Sequence, residues 1–294
     1  MESQEVSGCC LTVAGSDSGG NAGVQADLRA FHAYGLHGCT VFAALTAQNP
    51  FGVFAVHAVP ADFVAAQLDA VLGVYDIRAL KTGMLSEPEV IRVVADRLAA
   101  HREIAKVIDP VMVATSGARL VSEAAVEALK SDLLPLASVL TPNIPEAEAL
   151  SGRRIVCRAD VRAVARQLSE TYGCAVLVKG GHAVGDLRAA EDTLYDGKGF
   201  STYEMPWVGN PVSTHGTGCS LAAALVAELT LGRPLAEAVK GAKAYVHAAI
   251  ENSYLVGRDC GVLGFQAFSM SHACIQGTLI PDFFIAAEKR GFQR

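Results

Sequence analysis

The sequence predicts one α/β domain built on a mostly parallel central sheet with helices on both faces. Three observations lead there. Short β-branched runs alternate with longer stretches of helical period, the pattern of strands joined by crossover helices. Hydrophobic residues make up 51% of the chain, enough for a core on each face of a sheet. Glycine and polar clusters fall at the ends of the strand-like runs, where such sheets bind ligands. No Pro/Ser-rich linker and no internal repeat divides the 294 residues. One domain is expected over residues 1–270, with residues 271–294 as a tail of weak periodicity.

Taken in order, residues 10–14 (CLTVA) read as the first strand, running into a glycine-rich loop at 15–23. Residues 22–34 then read as a helix and 39–46 as the next strand. Over 62–75 the apolar residues Val64, Leu68, Val71, Leu72 and Tyr75 follow the 0, 4, 7, 8, 11 spacing of one helix face. A strand at 79–82, a helix at 88–100 and a strand at 106–109 follow. Ser122, with Glu123 after it, caps a helix reaching residue 129. Residues 138–140 form a short strand, 161–171 a helix and 175–178 a strand. The runs 192–195 and 200–203 flank Asp196-Gly197-Lys198-Gly199, a hairpin signal. Two helices, from about residue 217 and over 235–252, complete the core.

Composition excludes several classes of function. The net charge of -6 is mild and the Lys and Arg residues are scattered, whereas nucleic-acid backbones require a concentrated basic face. The acidic start, Met1-Glu2-Ser3-Gln4-Glu5, is unlike a secretory leader, and no apolar run is long enough to span a bilayer. The expectation is a cytoplasmic protein with neither nucleic acid nor membrane as partner. Eight cysteines are present, but no C-x-x-C pair signals zinc or redox chemistry, so most read as small core residues.

Cys219 has different neighbours. Thr214-His215-Gly216-Thr217-Gly218-Cys219 leads straight into a helix. Glycines there leave backbone N–H groups unobstructed at the positive end of the helix dipole, an arrangement suited to an anion such as a phosphoryl group in transfer. A cysteine in that turn is expected to have a lowered pKa and to be able to take a proton from an attacking hydroxyl. The plainer alternative is a glycine-rich turn packed under a helix, with the thiol as filler. Walker A and protein-kinase motifs are absent, and residues 15–23 do not form a dinucleotide fingerprint.

Seven collinear segments then carry a resemblance: GSDSGGNAGVQADL (15–28), ALTAQN (44–49), KTGML (81–85), IDPVMV (108–113), TPNIPEAEAL (141–150), VLVKGGH (176–182) and THGTGC (214–219). In their order and spacing the chain resembles the hydroxymethylpyrimidine/phosphomethylpyrimidine kinases of thiamine biosynthesis, within the ribokinase-like superfamily, from about residue 9 to about residue 268. Cysteine after GTG supports this, because sugar kinases of the superfamily have aspartate there. The resemblance implies a ribokinase-like three-layer α/β/α fold. It also implies ATP and Mg²⁺ as cofactors, and two successive phosphorylations of 4-amino-5-hydroxymethyl-2-methylpyrimidine.

Carried over by position, Cys219 is similar to the catalytic base, with Gly216 and Gly218 giving backbone N–H groups to the phosphoryl. Gln48 looks like the reader of the pyrimidine edge, since an amide offers both donor and acceptor. Asp27, Met84, Val111, Gly15 and Ala22 match the remaining substrate contacts. Lys179, Asn143 and Thr217 match the ATP site. Asp109 and Glu146 match residues placing Mg²⁺ through water, in keeping with the cation's preference for hard, hydrated oxygen sites. Bland roles remain for some of these: Asp109 as an Asp-Pro turn former, Glu146 as a first-turn carboxylate, Lys179 as an ordinary strand-end lysine. A homodimer is expected from the family.

Three departures stand out. Asn21 replaces a glycine, which asparagine can do where φ is positive. Ala114-Thr115-Ser116-Gly117 replaces the relatives' A-K-S-G and lacks its cation. The second cysteine that some pyridoxal kinases of the family carry in that segment is also missing. This favours the thiamine precursor over pyridoxal, the alternative substrate on the same scaffold. A silent metabolite-binding protein would be a third reading, against which the retained Cys219, Asp109, Glu146 and Lys179 speak.

Overall fold

The computed structural model describes residues 8–112, 122–181 and 190–265. The tail from residue 271, the segment Ala114 to Gly117 and His182 lie outside the described residues. The first half runs β1 (Cys9–Gly15), α1 (Gly23–Ala33), β2 (His37–Asn49), β3 (Gly52–Ala58), α2 (Ala61–Leu72), β4 (Ile77–Thr82), α3 (Pro88–Ala99) and β5 (Ala105–Ile108). It continues through α4 (Glu123–Ala128), β6 (Val139–Leu140), α5 (Ile144–Ser151), α6 (Arg158–Tyr172) and β7 (Ala175–Val178). Then come β8 (Glu191–Tyr195), β9 (Phe200–Glu204), α7 (Thr217–Thr230), α8 (Leu235–Glu251), β10 (Tyr254–Leu255) and β11 (Gly261–Val262).

Among the described residues nine strands form one sheet in the order β3-β2-β1-β4-β5-β6-β7-β8-β9. From β2 across to β7 every pairing is parallel. β3 pairs antiparallel at one edge, and the β8–β9 hairpin does so at the other. The buried strands show why the chain folds this way. Leu11, Val13, Leu80, Ile108, Leu140 and Val176 pack into one core with Val64, Leu68, Val94, Leu98, Val161 and Leu168 of α2, α3 and α6. Their neighbours Cys10, Ala79, Val107, Val139 and Leu177 point the other way, against Phe31, Leu225, Val239 and Tyr245 of α1, α7 and α8. That period of two, with both faces covered, gives the three layers expected of a ribokinase-like α/β/α fold.

Local signals set the helix ends. Pro88 occupies the first turn of α3, where its missing N–H costs nothing, and Ser122 accepts a hydrogen bond from Ala125 N at the start of α4. Gly152 and Gly173, both at φ 69°, end α5 and α6 in left-handed caps. The helix expected to run to residue 75 stops at Leu72 with Gly73 as its cap. Tyr75 therefore lies beyond the buried face and stacks on His37, with ring centroids 5.5 Å apart. β3 was not foreseen in the sequence. Its side chains are mostly exposed, so it lacks the apolar–polar alternation that marks a half-buried strand.

Chain progression reverses beside β1, with β2 on one side and β4 on the other. A crevice opens at such a point, at the carboxyl ends of the strands. The α7 helix is buried along Ser220 to Glu228, which anchors its glycine-rich start against that crevice.

Candidate active site

The loop after β1 is organised by Asp17. Its carboxylate is 1% exposed and accepts hydrogen bonds from the backbone N–H of Gly19, Asn21 and Ala22, at 2.8, 2.9 and 2.8 Å. His215 Nε2 stands 3.7 Å from its Oδ2. Burial alone would raise the pKa of this carboxyl, but the imidazole and the three N–H groups outweigh it and hold the pKa below its ordinary value. Asn21 does not need the positive φ anticipated for it. Gly20 at 76° and Gly23 at 55° take the left-handed conformations of the loop, and Asn21 is not among the positive-φ residues.

This loop touches the start of α7. Gly216 has φ 87°, and a Cβ there would come within 1.8 Å of the Asn21 carbonyl oxygen. Both the turn and the close approach require glycine. Gly15 at the end of β1 is equally confined, since its Cβ would meet Met84 Cε at 2.5 Å. Ala22, the residue before α1, is half-buried between the two loops.

Beside the α7 turn lie two ion pairs. Lys81 Nζ and Asp27 Oδ1 are 2.8 Å apart with both side chains fully buried, and the Thr12 hydroxyl donates to Asp27 Oδ2 at 2.6 Å. Burial pulls the Lys81 pKa down, but Asp27, Cys219 and Asp109 together raise it, so the ammonium stays charged. Lys179 Nζ meets Asp109 Oδ1 at 2.7 Å, and Thr141 donates to the same oxygen at 3.2 Å. A Cβ on Gly218 would lie 3.6 Å from Lys179 Nζ, which brings that ammonium against the GTG turn. The Lys179-Gly180 turn is itself pinned, because Gly180 N donates to Asp192 Oδ1 and Lys243 Nζ holds Asp192 Oδ2 at 2.6 Å.

Cys219 is half-buried in the first turn of α7. Its expected low pKa is not what the surroundings give. Burial raises it, Asp27 and Asp109 raise it further, and Lys81 and the Gly23 N–H only partly oppose them. The helix start was judged correctly; the buried carboxylates nearby were not legible in sequence.

Asn143 and Glu146 form a capping box at the start of α5. Asn143 Oδ1 accepts from Glu146 N at 2.9 Å, and Glu146 Oε2 accepts from Asn143 N at 2.8 Å. Burial and the Asp109 charge, against Lys179 and two backbone amides, push the Glu146 pKa up to about 7. Among the described residues no group of three or more His, Cys, Asp or Glu side chains converges as a metal cage. Two buried carboxylates near one ammonium fit a divalent cation that keeps most of its waters, as Mg²⁺ does.

At the other end of the crevice, the Gln48 carboxamide spans between Thr46 Oγ1 at 3.3 Å and His215 Nε2 at 3.4 Å. It lines a cavity of ≈ 260 Å³ together with Asn49, Val53, Ser213, His215 and Asp259. Asp109, Lys179 and Cys219 are not part of that lining. Val111 is half-buried just after Asp109, and Thr217 opens α7. The structure thus joins Gly15 with Met84, Gly216 with the Asn21 loop, and Gly218 with Lys179 and Asp109. Asp27 is enclosed by Lys81 and Thr12 and presents no surface of its own. Sequence reasoning passed over Asp17, Lys81 and His215. Each sits inside a quoted segment, but its importance lies in a partner distant in sequence.

The family profile described as phosphomethylpyrimidine kinase matches residues 17–264. A hydroxymethylpyrimidine/phosphomethylpyrimidine kinase of Haemophilus influenzae is 45% identical over 262 residues, covering 88% of this chain and 97% of its own. The thiamine biosynthesis bifunctional protein of Geobacter sulfurreducens is 47% identical over 255 residues. The match takes in 86% of this chain but 51% of that protein, so the chain spans about half the length of this bifunctional relative. Among solved structures, the phosphomethylpyrimidine kinase of Clostridium difficile superposes with a TM-score of 0.73 at 39% identity, over 82% of this chain and 98% of that one. An ADP complex of Bacillus subtilis pyridoxal kinase superposes with a TM-score of 0.79 at 33% identity, over 90% and 99%. With a profile match across most of its length and full-length relatives at this level of identity, the chain belongs to the phosphomethylpyrimidine kinase family.

Proposed function

We propose that this protein is an ATP-dependent phosphotransferase that phosphorylates 4-amino-5-hydroxymethyl-2-methylpyrimidine and then converts the monophosphate to the diphosphate. The observation that carries the reading is the junction at the start of α7. There the glycine turn, Cys219 and the Lys179–Asp109 pair meet. Relatives at 45–49% identity bearing the hydroxymethylpyrimidine/phosphomethylpyrimidine kinase name support it over pyridoxal phosphorylation.

In this reading Gln48 holds the ring edge, while Met84, Val111, Gly15 and Ala22 form the walls around it. Asp27 acts through Lys81, whose charge favours the thiolate of Cys219. The Cys219 sulfur takes the proton from the attacking hydroxyl as its oxygen bonds to the γ-phosphorus and ADP leaves. Backbone N–H groups of Gly216, Thr217 and Gly218, at the positive end of α7, bind the transferring phosphoryl, and Lys179 draws the ATP phosphates toward it. Asn143 turns its NH₂ group to the nucleotide side. Asp109 and Glu146 would hold Mg²⁺ through water, and the ion would neutralise phosphate charge when bound.

The reading extends to a single kinase domain over residues 1–270 with a C-terminal tail, a cytoplasmic setting and a homodimer. No helix among the described residues is long and apolar enough to cross a membrane. Exposed Leu45, Phe54, Val56 and Phe63 on the β2–β3 edge and α2 support burial against a second copy. The test is product analysis after incubation with the pyrimidine alcohol, ATP and Mg²⁺, alongside a pyridoxal reaction. Mono- and then diphosphorylated pyrimidine is the expected result. Phosphorylation of pyridoxal alone would move the protein to vitamin B6 chemistry, and turnover of neither would leave a silent binder.

A further inference from the structure

Three stretches of chain enclose the cavity of ≈ 260 Å³ beside Gln48. The end of β2 and the turn after it supply Gln48, Asn49 and Pro50, the loop before α7 supplies Ser213 and His215, and the β10–β11 turn supplies Asp259. The volume suits a single substituted ring. Among the described residues no lysine or arginine lines it, and Asp259 is the one acidic residue that does. The ammonium groups of the crevice lie elsewhere. Lys81 is closed against Asp27, and Lys179 stands with Asp109 beside the α7 turn. Charge therefore differs along the crevice, with cations and the positive end of α7 where a phosphoryl would sit and a carboxylate where a ring would sit.

Asp259 contributes little to its own turn. Its backbone is left-handed, at φ 54°, a conformation that costs a residue with a Cβ and that glycine adopts freely. Among the described residues its carboxylate has no hydrogen-bond or ion-pair partner, so no local cap offsets that cost. A strained residue with an unengaged charge on a cavity wall marks a place where a ligand supplies the partner.

We propose that Asp259 is a specificity-determining residue, whose carboxylate accepts a hydrogen bond from the exocyclic amino group of the ring seated on Gln48. The site then selects aminated heterocyclic alcohols over alcohols of the same shape that lack the amine. This rests on the reading above in which Gln48 faces the pyrimidine. An amino group conjugated to a ring nitrogen carries partly positive N–H bonds, and a carboxylate acceptor makes a charge-assisted bond to one of them. A ring without the amine drives water from the carboxylate and returns no hydrogen bond.

The experiment measures kcat and KM for the 4-amino alcohol and its 4-desamino analogue in the wild type, Asp259→Gly and Asp259→Asn. Both replacements tolerate a left-handed backbone, and thermal unfolding confirms that each variant folds. The wild type is expected to prefer the amino compound. In Asp259→Gly the amino-over-desamino ratio of kcat/KM is expected to fall about fivefold or more, through KM for the amino compound, with kcat near wild type. Asp259→Asn should lose less, because its neutral carbonyl still accepts. The Tm of Asp259→Gly should match or exceed that of the wild type, since glycine relieves the strained turn. An unchanged ratio in Asp259→Gly would overturn the proposal, and equal losses on both compounds would reduce Asp259 to a piece of wall. A wild type that uses the amino compound without preferring it would overturn it as well. Turnover of neither compound by the wild type would instead remove the functional reading, and this inference with it.

Discussion

Lys81 and Asp27 form a 2.8 Å ion pair in which neither side chain reaches solvent, and the pair lies directly within the electrostatic reach of the Cys219 thiol. Removing one partner strands a buried charge, at a cost of about 3–5 kcal/mol. Lys81→Met is therefore expected to lower the urea midpoint sharply and to abolish activity. Lys81→Met combined with Asp27→Leu should recover much of the stability but not the activity. Recovery of both would show that the pair serves packing alone.

Cys219→Ala is expected to lower kcat by about 10²-fold or more, the usual scale of a lost general base. The KM for the alcohol should change less. Cys174→Ala, which removes a buried thiol pushed up to about 11 by its burial, should leave kcat near the wild-type value. Because burial and two carboxylates raise the Cys219 pKa, the thiolate grows as pH rises. Wild-type kcat/KM should therefore climb from neutral into alkaline solution. Cys219→Asp should remove that climb, since a carboxylate is ionised throughout. A flat wild-type profile would argue against the thiolate as base.

Glu146 supplies a pH signature in stability. Its carboxyl ionises at about 7 in the folded chain and at an ordinary 4.5 when unfolded. Below 4.5 both forms are protonated and nothing is lost. Between about 4.5 and 7 the unfolded chain releases its proton first, so this group's contribution falls as pH rises. Glu146→Gln keeps a capping-box side chain and should flatten that decline in Tm against pH. The same slope in both proteins would disprove the assignment.

Gly216→Ala confronts the Asn21 carbonyl at 1.8 Å and forces a side chain into φ 87°. The left-handed backbone alone costs roughly 1–2 kcal/mol, and the clash must separate the two loops. Activity is expected to fall by more than about tenfold while the rest of the fold persists. Wild-type kcat with unchanged Tm would contradict this packing.

The exposed apolar side chains of Leu45, Phe54, Val56 and Phe63 predict a dimer on light scattering, with Phe54→Glu shifting it toward monomer. A monomeric wild type would remove the homodimer.

The parallel strands and their helices were legible because both signals are local: β-branched runs buried on two faces, and apolar spacing such as Val90, Val94 and Leu98 along α3. β3 escaped because an exposed edge strand carries no burial pattern. Among site residues, the glycine turn and Cys219 could be read from a single segment. Asp109 and Lys179 take roles only through the resemblance, and their ion pair is visible only in the fold. The pairing of Lys81 with Asp27, and of His215 with Gln48 and Asp17, is a property of the assembled sheet. So is the raised Cys219 pKa, which depends on carboxylates contributed by α1 and by the end of β5.

The contact between Gln48 and His215 joins positions 167 apart in the chain. A nascent polypeptide emerging from the ribosome thus carries Gln48 long before the imidazole that meets it has been synthesised. Substrate cannot act as a template for early folding, because the pocket it would stabilise exists only once α7 has docked on the finished sheet. Ligand protection should accordingly appear late and all at once during translation, as a single step for the domain.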